Sequence, residues 1–124
     1  MWELRMATYP AGENQLAVDE VWHLMDDGFA RREAADELTV QSLVALPDCL
    51  LALMEFHPGE EPRAQMAEFR YWLSECAGVR WQREWTVSET AAWESWKDVA
   101  AAMRQAPVAA GLAAADEEWP YRRP

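Results

Sequence analysis

The 18 residues from Thr39 to Phe56, TVQSLVALPDCLLALMEF, are the most apolar part of the chain, and a proline divides them. Only Asp48 and Glu55 carry charge there. Each apolar side chain removed from water contributes roughly 1.5–3 kcal/mol, so this stretch must lie at the centre of whatever forms. Its longest unbroken apolar run, Leu50 to Met54, is far shorter than the ~20 residues that cross a bilayer. Proline inside a helix removes a hydrogen bond and clashes with the preceding turn. The pattern therefore predicts a break, with Pro47 at the start of a second helix. Leu50, Leu51, Leu53, Met54 and Phe56 leave that helix little polar face, so it is expected to be the buried middle of the domain.

The flanking segments show clearer periods. Trp2, Leu4, Met6 and Thr8 alternate with Glu3, Arg5, Ala7 and Tyr9, the period of a half-buried strand. PAGEN, residues 10–14, reads as a turn, and Asn14 can cap a helix. Val18, Val21, Trp22, Met25 and Phe29 form a helical stripe opposite Asp19, Glu20, Asp26 and Asp27. Gly28 is expected to end or bend that helix, and MDDGF is also compatible with a hairpin turn. Residues 30–38 suit a helix by propensity, and residues 57–62, HPGEEP, a loop. Pro62 opens a helix carrying Met66, Phe69, Leu73 and Cys76, which Gly78 terminates. Residues 79–87 alternate as a strand. Thr86 to Glu89 fits a capping box, followed by a helical stripe of Trp93, Trp96, Val99, Ala100 and Met103 that must stop by Ala106, before Pro107.

These elements predict a helix-rich α+β domain over residues 1–118. The two strands pair as a small two-stranded or slightly larger sheet under four or five helices. An all-α bundle is the alternative, because two isolated strands are marginal. Residues 119–124 are expected to form a mobile tail. Trp81, Trp85, Trp93 and Trp96 are expected to belong to the core.

The charge is uneven. The chain of 124 residues carries a formal −11. Between Glu13 and Glu61 stand twelve acids and two bases, Arg31 and Arg32, giving −10, whereas Pro62 to Gln105 holds six of each and is neutral. Such an excess disfavours direct nucleic-acid binding, which needs clustered Lys and Arg, and equally an anionic membrane surface. It points to a protein partner with a basic surface. Glu20, Asp26, Asp27, Glu33, Asp36 and Glu37 would supply the charge, and Trp119 and Tyr121 the apolar anchors. A protein of this size and charge can act as an inhibitor that occupies a nucleic-acid-handling surface by charge mimicry, as small phage anti-restriction and anti-CRISPR proteins do. An adaptor, an assembly chaperone or a toxin-immunity protein binding through aromatic contacts is the alternative.

No catalytic or metal motif accompanies these features. His23 has no evident nucleophile beside it. His57 with Glu60 and Glu61 lacks a metal-site spacing. Cys49, next to Asp48, lacks the cationic neighbour that a reactive thiolate wants. No glycine-rich phosphate loop or nucleophile elbow occurs. The chain is expected to be a non-catalytic binding module without cofactor or metal. Two unpaired cysteines and the absence of a signal segment suggest the cytoplasm.

Overall fold

The computed structural model describes residues 1–91 and 93–123. Its elements run β1 (Trp2–Ala7), α1 (Asp19–Ala34), β2 (Leu38–Leu46), β3 (Cys49–Phe56), α2 (Pro62–Ala77), β4 (Thr86–Glu89) and α3 (Trp96–Ala109). The strands form one four-stranded sheet in the order β2-β3-β1-β4, with every neighbouring pair antiparallel. This corrects both expectations about the fold, the helix-rich domain with a two-stranded sheet and the all-α bundle. The sheet is larger and the helices are fewer.

The apolar stretch is the source of that difference. It forms a β-hairpin, with Leu46 opposite Cys49 and only Pro47 and Asp48 between the strands. Proline interrupts the chain as expected, but at a hairpin turn and not at a helix start. A strand buried on both faces shows no alternation, so period alone cannot tell it from a buried helix. Leu50, Ala52 and Met54 of β3 belong to one core and Cys49, Leu51 and Leu53 to another. Each core covers one face of the sheet.

On the first face α1 and α2 pack against Leu4 and Met6 of β1, with the Phe29 and Phe69 rings tilted against each other at 4.5 Å between centroids. α1 does not stop at Gly28. It packs tightly on α2 there instead, and a Cβ at Gly28 would lie 2.9 Å from the Trp72 ring. α2 follows its signals closely. Glu61 accepts from the backbone N–H groups of Arg63 and Ala64, Pro62 occupies the first turn, and Gly78 ends the helix at φ 67°. On the second face α3 covers β2 and β3 through Ala100 and Met103. That helix runs past Ala106 to Ala109, with Pro107 buried in its last turn. Cys49 is buried, and burial pushes its thiol up; Cys76 is exposed.

Of the tail expected to be mobile, residues 119–124, Pro124 lies outside the described residues, and residues 119–123 lie along the outer edge of β2. Trp119 Nε1 donates to the Ala45 carbonyl at 2.8 Å, the Ala45 N–H donates to the Tyr121 carbonyl at 2.9 Å, and the Arg123 N–H donates to the Leu43 carbonyl at 3.0 Å. The Arg123 side chain reaches Asp26 at 2.6 Å and Glu33 at 2.7 Å. The strand expected over residues 79–87 is only partly present. Trp81 makes an isolated bridge to Thr8, and β4 begins at Thr86, where a capping box was expected.

Candidate nucleic-acid interface

Three side chains bring the neutral half of the sequence together. Arg63 and Arg70 stand two turns apart on α2 and so share a flank. Both guanidiniums lie over the indole of Trp85, Arg63 at 4.2 Å and Arg70 at 4.8 Å from its centroid. Trp85 sits where the irregular segment 80–85 leads into β4. That segment is fastened at several points. The Gln82 N–H donates to the Ala7 carbonyl at 2.8 Å, the Tyr9 N–H to the Arg80 carbonyl at 2.8 Å, and Trp81 Nε1 to the Arg70 carbonyl at 3.1 Å. Arg70 in turn donates to the Gln82 carbonyl at 2.6 Å.

Around Trp85 runs a groove lined by Arg5, Arg63, Gln82, Arg83, Glu84 and Thr86. Arg5 reaches it because β1 alternates. Leu4 and Met6 point into the first core, and Arg5, paired with Thr86 across the sheet, faces the other way. The groove continues past Gln82 and Arg83 to an aromatic end at Tyr9 and Trp81. In the other direction it passes Arg5 and Thr86 into the cleft beside Val99 and Met103 of α3.

The electrostatics of this groove differ from those of the chain as a whole. Among the described residues the arginines in ion pairs are Arg80, with Glu13 at 2.7 Å, and Arg123. Arg5, Arg63, Arg70 and Arg83 have no carboxylate among the described residues within ion-pair distance, although acids outnumber bases two to one in the sequence. Burial, and then the Arg63 guanidinium, lower the pKa of Arg70. Arg70 Nε is buried without a hydrogen-bond partner. Two cations stacked on one ring without a counter-charge repel each other, and an anion brought between them relieves that repulsion.

The residues that sequence reasoning selected lie elsewhere. Asp26 and Glu33 hold Arg123, while Glu20 and Asp27 are exposed on α1. Asp36 stands 3.8 Å from His57, and the Glu37 carbonyl accepts from the His57 N–H. Trp119 and Tyr121 are half-buried in the docked tail, where the Tyr121 hydroxyl donates to Asp19 at 2.9 Å and is pushed above its ordinary pKa by that bond. His23 is exposed on α1. Among the described residues no group of three or more His, Cys, Asp or Glu is placed to hold a metal ion. The groove was missed because its arginines are scattered at positions 5, 63, 70 and 83, and a charge count by segment does not see them converge. The spacing of Arg63 and Arg70 on a well-signalled helix, with Trp85 shortly after it, was the available clue.

No protein-family model matches the sequence, and no curated protein matches it. The fold does have counterparts among solved structures. The chain superposes on a REP-associated tyrosine transposase bound to a REP hairpin with a TM-score of 0.83, covering 98% of this chain and 74% of that one at 12% identity. A candidate transposase of Deinococcus radiodurans is more distant, with a TM-score of 0.48 and 19% identity over 92% of this chain and 91% of that one, too loose a likeness to argue from. The fold thus resembles that of the REP-associated transposase. Three expectations give way to that match. The inhibitor acting as a nucleic-acid mimic loses its support, as does the module without catalysis, since the matching fold is that of a transposase and not of an inhibitor. The exclusion of direct nucleic-acid contact also falls, since the matching structure is bound to a REP hairpin. The physical reason lies in the groove: net charge is a sum, whereas a phosphate meets a local field. Among the described residues no helix is long and apolar enough to cross a membrane.

Proposed function

We propose that this chain is a DNA-handling protein that grips a hairpin or strand over the groove of Arg5, Arg63, Arg83 and Trp85. The observation that carries the reading is the set of guanidiniums without carboxylate partners on one ring, in a chain with twice as many acids as bases. Planar guanidiniums match phosphate oxygens in a two-pronged geometry, and stacking on an indole holds that fork in place before the phosphate arrives. A scaffold shared with a hairpin-bound transposase supports the same direction. Work on DNA is consistent with a cytoplasmic protein.

The test is fluorescence anisotropy with a labelled DNA hairpin at low salt. The native protein is expected to bind, with affinity falling steeply as salt rises. Arg63→Glu with Arg83→Glu is expected to weaken binding at least about tenfold, by replacing two phosphate contacts with repulsion, while the circular dichroism spectrum stays unchanged. Equal binding by the double variant overturns the proposal. Incubating the hairpin with protein and Mg²⁺ before a denaturing gel separates strand processing from binding alone.

A further inference from the structure

Deepening the DNA-handling reading, on which it rests, we infer that the Trp85 surface recognises the phosphate backbone and not the bases, so that it accepts strands of any sequence. An indole in a nucleic-acid groove is ordinarily a platform on which a base stacks. Trp85 is not available for that. Arg63 and Arg70 both lie over its ring, at 4.2 and 4.8 Å from the centroid. Arg70 is further fixed by the 2.6 Å bond from its Nη2 to the Gln82 carbonyl. The ring is a mount for two cations. A base could stack there only by displacing a guanidinium and separating it from the ring.

The polar groups beside the ring agree with a backbone reader. Gln82 has the side chain best suited to pair with an adenine edge. Its amide already donates to the Thr8 carbonyl at 3.1 Å, which holds it against the end of β1. Arg5, Arg63 and Arg83 are exposed and carry no carboxylate partner among the described residues. Glu84 beside the ring, and Glu3 where the groove opens into the α3 cleft, repel phosphate and so narrow the path along which a strand can lie. The substrate class is a nucleic-acid backbone, and sequence selection is absent from this surface.

Binding of labelled hairpins of unrelated stem sequence, of blunt duplex and of unstructured single strand tests this, with native protein across a salt series. Affinities for unrelated stems are expected to agree within about threefold, with a log–log salt slope of roughly −3 for three phosphate contacts. Arg5→Gln or Arg83→Gln is expected to reduce that slope by about one and to weaken all ligands alike. Trp85→Leu, which removes the mount, is expected to weaken duplex and single strand by the same factor. The surface variant Arg63→Gln, which leaves the ring in place, serves if Trp85→Leu does not fold, and is expected to do the same. A preference above tenfold among stems that disappears with Trp85→Leu, or a loss confined to the single strand, overturns backbone reading while leaving DNA binding intact. Absence of binding to every ligand at low salt overturns the DNA-handling proposal itself.

Discussion

At the scale of single residues, the most telling position is Gly28. Sequence reasoning expects a glycine inside a helical pattern to end or bend it, because glycine costs about 1 kcal/mol against alanine there. In the structure the helix continues, and the missing side chain lets α1 and α2 close on each other. A Cβ would meet the Trp72 ring at 2.9 Å and the Phe69 ring at 3.0 Å. Gly28→Ala gains helix propensity but overpacks a contact built on a fully buried phenylalanine, and overpacking costs about 1–3 kcal/mol. We expect a net loss of up to about 2 kcal/mol in urea unfolding, with DNA binding unchanged, because Gly28 lies away from the Trp85 groove. A rise in stability would show that Trp72 yields freely. The tryptophans divide in the same way. Trp81 and Trp85 pack against the first core, whereas Trp93 is 86% exposed and Trp96 lies at the surface. Shared spacing put Trp93 and Trp96 on one helical stripe, but α3 begins only at Trp96.

Among the elements, β1 and α2 were legible and the central hairpin was not. β1 alternates because one of its faces is core and the other is not. α2 carries a capping acid, a proline at its start and a left-handed glycine at its end, all local signals. β2 and β3 carry neither kind of mark. Their leucines, alanines and methionines favour helix by propensity, and burial of both faces erased the alternation that would have contradicted it. The tail is likewise an element that only its partners create. Arg123 has its proton affinity lowered by burial, but the carboxylates of Asp26 and Glu33 more than offset that and hold its pKa above the ordinary value. A group held that way contributes stability at every pH below its unfolded value and loses it only as pH rises through the folded one. Arg123→Ala is therefore expected to cost about 1–2 kcal/mol, discounted because the pairs are partly exposed, and by the same amount throughout the neutral range. Thermal unfolding at pH 6 and pH 8 checks this, and a cost that changes sharply between them would count against the ion pairs as its source.

For the whole molecule, the proposed grip on DNA has to be reconciled with a net charge of −11. The acids gather in the segment from Glu13 to Glu61, and Glu20 and Asp27 are exposed on α1 without an ion-pair partner among the described residues. The arginine groove is assembled from β1, α2 and residues 82–86. On the proposed reading, the field that would slow encounter and the contacts that would hold the complex therefore lie on different elements. Glu20→Gln with Asp27→Asn is expected to raise the association rate for a hairpin by about two- to tenfold at low salt, through long-range steering, with dissociation nearly unchanged. Stopped-flow measurement at two salt concentrations reads both rates. A change confined to dissociation would place those acids in the contact itself.

By itself the sequence determined whatever is local: the strand period of β1, the caps of α2, the break at Pro47 and the uneven distribution of charge. Each of these depends on residues within a few positions of one another. Tertiary structure alone decided the rest. It placed a doubly buried hairpin where composition favoured helices, because packing on both sides leaves no periodic trace. It fixed the tail to β2 through Ala45 and to α1 through Asp19 and Asp26, partners 74 to 102 residues away along the chain. It also stacked the guanidiniums of Arg63 and Arg70 on Trp85, beside Arg5 from the start of the chain. A local field sums over distance in space, and the order of residues along the chain does not record that distance.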